Sequence, residues 1–437
     1  MALTDPFLSS EGESTRRGGA RHSLANIKTL LEHHAEVRGL VFSAWTIKSE
    51  QQKVELFIQD HPVYRLTVMN DDQNTLRIQL FRLTEQSESF VLNFCPHIEV
   101  ETIHETPLTP SVWIAMGCLP GAVSEMWHGN DAFDHPGFQA LLTSRVPRQW
   151  QKSDINNYLA ALLISLLQDY SVEDALLLAH ASSVSRETWP IHCHDFPDLL
   201  CFEPATKKPV LNNNSKDYPP WPEVDREQLR FYPVLPNVEW VKKLSSAGAK
   251  TLQLRNKGNR DAHYINEIRL AIELGHQQGL QLFINDDWQL AIELGAYGVH
   301  LGQQDLQTAD LTAINQANLR LGISTHGYFE ILNAMRIQPS YLALGHVFAT
   351  TTKVMPSKPQ GLQRLKELKS FVAQCCPTMP TVAIGGIDLT NAEQIIETGV
   401  SSIAVVRAVT EADDLDGVMA EFNQIMVNSK WGDNAER

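Results

Sequence analysis

Phe283-Ile284-Asn285-Asp286 and, one helical segment further on, Gly298-Val299-His300-Leu301-Gly302-Gln303-Gln304-Asp305 each read as a buried strand that stops abruptly in polar residues. Asp286 and Asp305 fall at the two strand ends, where two carboxylates can share one Mg2+. Proteins commonly hold that ion with one or two hard oxygen ligands and leave the rest to substrate phosphates and water. The pair predicts chemistry on a phosphorylated or pyrophosphorylated small molecule.

Outward from this unit the pattern repeats. Apolar runs begin at Phe231 (FYPVLP), Thr251 (TLQLR), Leu280 (LQLFIND), Tyr297 (YGVHLG), Leu319 (LRLGIST), Tyr341 (YLALGHVF), Thr381 (TVAIGG) and Ser402 (SIAVVRA). Helix-period segments lie between them, as at 262–278, 288–294, 362–374 and 392–397. Eight strands alternating with helices over about 200 residues match the count and lower length limit of a (β/α)8 TIM barrel. Near-continuous apolar runs are what strands covered on both faces require. A doubly wound sheet is the rival, and eight evenly spaced units favour closure. The expected fold class is α/β, with a C-terminal (β/α)8 TIM barrel over 229–430 preceded by an α+β or α/β domain over 1–203. Residues 204–228 (PATKKPVLNNNSKDYPPWPEVDREQ) lack apolar periodicity and have linker composition.

A chain of 437 residues is too long for one comfortable core, which agrees with that division. Its net charge of -15 argues against a nucleic-acid partner and reads first as solubility. Any phosphate must then be met locally, by a few cations, backbone amides and a metal. No apolar run is long enough to span a bilayer, and the polar stretch 1–22 lacks the apolar core of a secretory signal. Cys95, Cys118, Cys193, Cys201, Cys375 and Cys376 show no disulfide-framework spacing. Adjacent Cys375 and Cys376 read as reduced thiols, consistent with a cytoplasmic protein. The expected partners are small-molecule substrates, with no nucleic acid and no membrane; a homo-oligomer stays open.

Barrel chemistry lies at the C-terminal ends of the strands. Gln253, Arg255 and Lys257 end the second strand, Asn285 and Asp286 the third, and Asp305 follows the fourth. Ser324, Thr325 and His326 end the fifth, Thr350, Thr351, Thr352 and Lys353 follow the sixth, and Gly385-Gly386 end the seventh. Alternation places Gln253, Arg255 and Lys257 on one face, where two cations suit a diphosphate. The plainer reading is a strand end with solvated charges, which burial in a barrel disfavours. Asp286 and Asp305 also read singly as helix N-caps, because each precedes a helical segment. Sharing a rim with Arg255, Lys257 and Lys353 favours metal ligation. Asn285 then hydrogen-bonds substrate through an amide that both donates and accepts. Residues 350–353 read as a phosphate cradle or as a flexible polar loop. Gly385-Gly386 lets backbone approach a ligand where such barrels bind phosphate. His300, inside a strand, reads as a hydrogen-bonded core residue, and His326 sits on the rim with no catalytic step assigned. Consecutive His192-Cys193-His194-Asp195 lacks zinc-site spacing and reads as structural or surface.

The motifs QLRNK, FINDDW, YGVHLGQQDL, GISTH, ALGHVFATTTK, VAIGGI and SIAVV, in this order, resemble thiamine-phosphate synthase (thiamine-phosphate pyrophosphorylase), particularly the enterobacterial type. The resemblance covers 229–430 and implies a Mg2+-dependent transfer. The hydroxymethylpyrimidine group would pass from its diphosphate to the nitrogen of thiazole phosphate, or a carboxylated form of it, releasing pyrophosphate. Gln253, Leu254, Arg255, Asn256, Lys257, Asn285, Ser324 and Lys353 would contact the pyrimidine diphosphate. Asp286 and Asp305 would hold Mg2+. Thr350, Thr351, Thr352, Gly386, Val406 and Arg407 would contact the thiazole phosphate. The implied reaction is dissociative, with Arg255, Lys257 and Lys353 joining Mg2+ in stabilising the leaving group. One departure stands out: the family usually has Ser where this chain has Arg407. Its backbone N–H still serves phosphate, while the guanidinium either adds a charge-assisted contact or obstructs the site. Two rivals remain, a related thiazole tautomerase barrel and a non-catalytic thiamine-phosphate sensor.

In 1–203, strand-like alternation occurs at 51–59, 64–69 and 75–83, followed by helical stretches at 155–168 and 172–182. Residues 156–190 resemble the C-terminal end of hydroxymethylpyrimidine phosphate kinases of the ribokinase fold. Where that family has a Gly-rich anion hole, this chain reads Gln151-Lys152-Ser153-Asp154, which cannot wrap a phosphate in the usual way. Asp154 reads as a helix N-cap rather than a base. The expectation is a degenerate or divergent domain with a regulatory, stabilising or interaction role.

Overall fold

The computed structural model describes residues 27–37, 45–50, 53–58, 61–70, 76–82, 88–95, 111–116, 124–130, 139–143, 152–185, 189–190, 192–202, 209–210, 219–350 and 358–428. Two compact units, Met1–Asn213 and Asn214–Arg437, divide the chain.

In the second unit eight strands form a closed parallel barrel. They are β1 (Phe231–Leu235), β2 (Thr251–Leu254), β3 (Gln281–Asn285), β4 (Gly298–Leu301), β5 (Arg320–Thr325), β6 (Tyr341–Gly345), β7 (Thr381–Ile384) and β8 (Ser402–Val405). β8 pairs back onto β1 through Phe231 and Ile403, which closes the ring. The strands are buried almost end to end, since helices cover them outside and side chains fill them inside. Local signals set the helices. Asn237 caps Val238–Ser246 by accepting from the Trp240 amide, and Asp261 caps Ala262–Gln278 by accepting from Tyr264. Gly279, in the left-handed region, ends that second helix.

The barrel interior is packed by large side chains set against absent ones. A Cβ at Gly322 would lie 2.2 Å from the Tyr341 ring, and one at Gly298 would lie 2.6 Å from the Phe283 ring. Tyr341 and Phe283 therefore occupy the space those glycines vacate, edge-on to each other at 5.2 Å. Tyr232, Val234, Ala343, Val382 and Ala404 complete this core.

One boundary differs from expectation. Residues 219–228, read as linker, belong to the barrel and cover its N-terminal end. Val224 joins the core, and Trp221 is buried with its indole N–H donating to the Ile337 carbonyl at 2.9 Å. Gln281 clasps Asp225 twice, accepting from its N–H and donating to its carbonyl. Isolated apolar anchors among prolines leave no period to read, yet each fills a place on the barrel. Cys376 is a free thiol, as expected.

The first unit holds one sheet whose ten strands lie in sequence order, from Trp45–Glu50 to Pro209–Val210. Neighbours pair antiparallel except Glu88–Cys95 with Ser111–Met116, which are parallel. That meander makes the unit α+β rather than α/β, since a doubly wound sheet needs successive parallel strands. Helices Lys152–Leu167 and Val172–Ser185 are apolar on most of their surface and largely buried. Asp154 lies inside the first of these rather than at its cap. Among the described residues no helix is long and apolar enough to cross a membrane.

Candidate active site

The C-terminal ends of the barrel strands surround a cavity of about 570 Å³. Asp286 and Asp305 meet on one wall. Neither caps a helix: Asp287 caps Trp288–Glu293 by accepting from the Leu290 amide, and Gly302 occupies the cap of Gln303–Leu306. Cap duty falls to neighbours, and both carboxylates are left for the cavity. Asp286 has φ of 63°, a left-handed conformation uncommon for a residue with a side chain. Burial, then the Asp305 charge and a hydrogen bond shared with it, push the Asp286 carboxyl up to about 6. Asn285 and the Arg255 guanidinium act in the opposite direction. Two carboxylates held this close oppose joint ionisation unless a proton or a cation lies between them. Their hard oxygens fit a divalent ion such as Mg2+, with the remaining coordination left to other ligands. Among the described residues no cluster of three or more His, Cys, Asp or Glu forms a closed metal cage.

β2 delivers its residues by alternation. Gln253 and Arg255 line the cavity, whereas Leu254 points into the core at 1% exposure. The alternation ends there. β2 stops at Leu254, and Asn256 turns the chain by accepting from the Gly258 amide while its own amide donates to Glu267. Lys257 is consequently exposed and does not line the cavity, contrary to its expected place beside Arg255. Asn256 and Leu254 do not line it either. Asn285 and Ser324 do, at the ends of β3 and β5.

The opposite wall is backbone. Gly385 and Gly386 have φ of 105° and 65°, and a Cβ on Gly386 would lie 2.6 Å from the Ala349 carbonyl oxygen. Only glycine meets both the conformation and the approach. Val406, Arg407 and Ala408 line the cavity beside it, where a short helix, Arg407–Thr410, begins. The first N–H groups of a helix have no intrahelical acceptor, so they are available to an anion. The Arg407 guanidinium lies 4.0 Å from Glu411, which also lines the cavity. Thr350 lines it too, while Thr351, Thr352 and Lys353 lie outside the described residues.

Histidines behave unequally. His300 is buried and bonded through both ring nitrogens, to Tyr341 at 2.7 Å and Ser324 at 2.8 Å. His326 holds Glu330 at 2.8 Å on the rim. His346, overlooked in the sequence, lines the cavity from just after β6, and burial followed by His326 lowers its pKa. Its signal was present in the ALGHVF motif, but a lone His after an apolar run carries little information. The His192–Asp195 cluster is a surface turn, with the two imidazoles stacked at 5.2 Å.

Comparison with known proteins adds three findings. A family model described as thiamine monophosphate synthase matches residues 232–409. The thiamine-phosphate synthase of Klebsiella pneumoniae subsp. pneumoniae is 53% identical over 198 residues, covering 45% of this chain and 90% of that protein. That of Yersinia pseudotuberculosis serotype O:1b is 49% identical over 208 residues, covering 47% and 94%. A solved thiamine phosphate pyrophosphorylase from Pyrococcus furiosus is 29% identical with a TM-score of 0.40, covering 47% of this chain and 98% of its own.

Proposed function

This chain belongs to the thiamine-phosphate synthase family through its barrel, and on that premise we propose its reaction and the part each residue plays. It joins 4-amino-2-methyl-5-hydroxymethylpyrimidine diphosphate to 4-methyl-5-(2-phosphoethyl)thiazole, forming thiamine phosphate and pyrophosphate. The observation that carries the assignment is the polarity of one cavity. Paired carboxylates and Arg255 stand on one wall, and a glycine-and-amide cradle with Arg407 stands on the other.

Asp286 and Asp305 would hold Mg2+, with Arg255 beside them as a fixed cation for the diphosphate. When bound, Mg2+ would supply positive charge against the leaving pyrophosphate. The pyrimidine methylene carbon loses its C–O bond, and the electron pair departs with pyrophosphate. The thiazole nitrogen lone pair then forms the C–N bond to that carbon. Arg255 stabilises the developing anion, the largest kind of electrostatic contribution to such a step. Asn285, Ser324 and Gln253 orient the pyrimidine diphosphate, while Gly386, Thr350 and the Val406–Arg407 amides seat the thiazole phosphate. Orientation of two reactants in one enclosed mouth supplies the rest of the acceleration. The family resemblance adds Lys353 and Lys257 as further cations for pyrophosphate.

Purified full-length protein incubated with both substrates and Mg2+ should form thiamine phosphate and equimolar pyrophosphate. Absence of product while both substrates bind would refute the proposal and favour a non-catalytic sensor. We further propose a cytoplasmic location with small molecules as the partners, the latter supported by the net charge of -15, which disfavours a nucleic acid.

A further inference from the structure

Below the cavity a line of hydrogen bonds crosses the barrel from β2 to β5. The Gln253 amide donates to the Tyr232 hydroxyl at 3.1 Å, and Tyr232 and Tyr341 share a bond at 2.8 Å. Tyr341 bonds His300 Nδ1 at 2.7 Å, and His300 Nε2 bonds the Ser324 hydroxyl at 2.8 Å. The line starts and ends on residues that line the cavity, while both tyrosines are fully buried. We propose that Tyr232 and Tyr341 are positioning residues that set, through His300, the direction in which the Ser324 hydroxyl donates.

The direction follows from counting protons. A tyrosine hydroxyl has one proton to give. Tyr232 accepts from Gln253, so its proton goes to Tyr341. Tyr341 then gives its own proton to His300 Nδ1, which must be an unprotonated acceptor. A neutral imidazole in that state carries its proton on Nε2 and donates to Ser324. Ser324 Oγ is occupied as an acceptor there, and its own proton is left to point into the cavity. A diphosphate needs donors, and the line delivers one. Reversing the Gln253 amide reverses every bond, making Ser324 donate to His300 and present lone pairs to the ligand. Burial raises the pKa of both tyrosines, which keeps each hydroxyl protonated. Gly322 makes the arrangement possible, because any Cβ there would displace the Tyr341 ring.

The kinetic part of the test rests on the synthase reading; the spectroscopic part does not. In the full-length chain labelled with 15N-histidine, His300 is assigned by the signal lost in His300→Gln. It should show protonated Nε2 and unprotonated Nδ1, and Tyr341→Phe should convert it to a mixture. A wild-type Nδ1–H tautomer would overturn the inference. In steady-state kinetics Tyr341→Phe should lower kcat/KM for the pyrimidine diphosphate about tenfold, with KM for thiazole phosphate unchanged. Adding it to Ser324→Ala should cause no further loss, since the line then has no end to orient. Additive losses would overturn the inference. If Tyr341→Phe does not fold, Tyr232→Phe, one link earlier, makes the same comparison. A wild-type chain without turnover would refute the synthase reading and leave the tautomer measurement to decide this one.

Discussion

Asp286 holds a left-handed backbone and a carboxyl pressed against Asp305, and both features make sense as preparation for a cation. Its folded pKa of about 6 lies above the ordinary carboxyl value of about 4. In the metal-free protein this group's stabilising contribution is therefore complete below about pH 4 and disappears as pH rises through 6. In the proposed site Mg2+ would displace the retained proton, so its affinity should rise as pH increases through 6, with proton release visible by calorimetry in buffers of different ionisation heat. Asp286→Asn should lower kcat by about 10²–10³-fold. Arg407→Ser tests the chain's departure at the other wall: KM for thiazole phosphate should rise about tenfold if the guanidinium meets the phosphate. A fall in KM would show that Arg407 obstructs the site. The sequence made Asp286 and Asp305 stand out, because polar residues ended apolar runs. It could not decide between cap and ligand, since that depends on Asp287 and Gly302 taking the caps. Lys257 lies off the cavity wall for a related reason. Alternation applies only while the strand lasts, and an Asn256–Gly258 turn ends it.

Elements were legible where their period was strong. All eight barrel strands lie within or beside the apolar runs that announced them, and Ala262–Gln278 has its expected bounds. Residues 219–228 were not legible, because Trp221 and Val224 anchor the segment singly and hydrogen bonds supply the rest. Trp221→Ala should consequently destabilise the barrel by about 3–5 kcal/mol, as for other buried Trp truncations. Urea unfolding followed by circular dichroism would measure it. A change under about 1 kcal/mol would return the segment to linker status. In the first unit the alternation at 51–59, 64–69 and 75–83 located three strands, seen at Lys53–Ile58, His61–Asn70 and Leu76–Arg82. Ser124–Asn130 (SEMWHGN) carries polar and glycine residues and leaves little period to detect.

Across the whole molecule, the matched family model (232–409) and the residues lining the cavity fall within Asn214–Arg437. The two relatives described above are covered over 90% or more of their own length. Residues 214–437 expressed alone should therefore retain turnover within about threefold of the full chain; a complete loss would assign Met1–Asn213 a part in the site. On the proposed function, one cavity performs Mg2+-dependent condensation through paired aspartates. Thiamine phosphate formation by the full-length protein, with EDTA and Asp286→Ala as controls, measures this. Product that depends on Mg2+ and disappears in both controls is the predicted result. Undiminished product in EDTA and in Asp286→Ala would refute the metal-binding role of the aspartate pair.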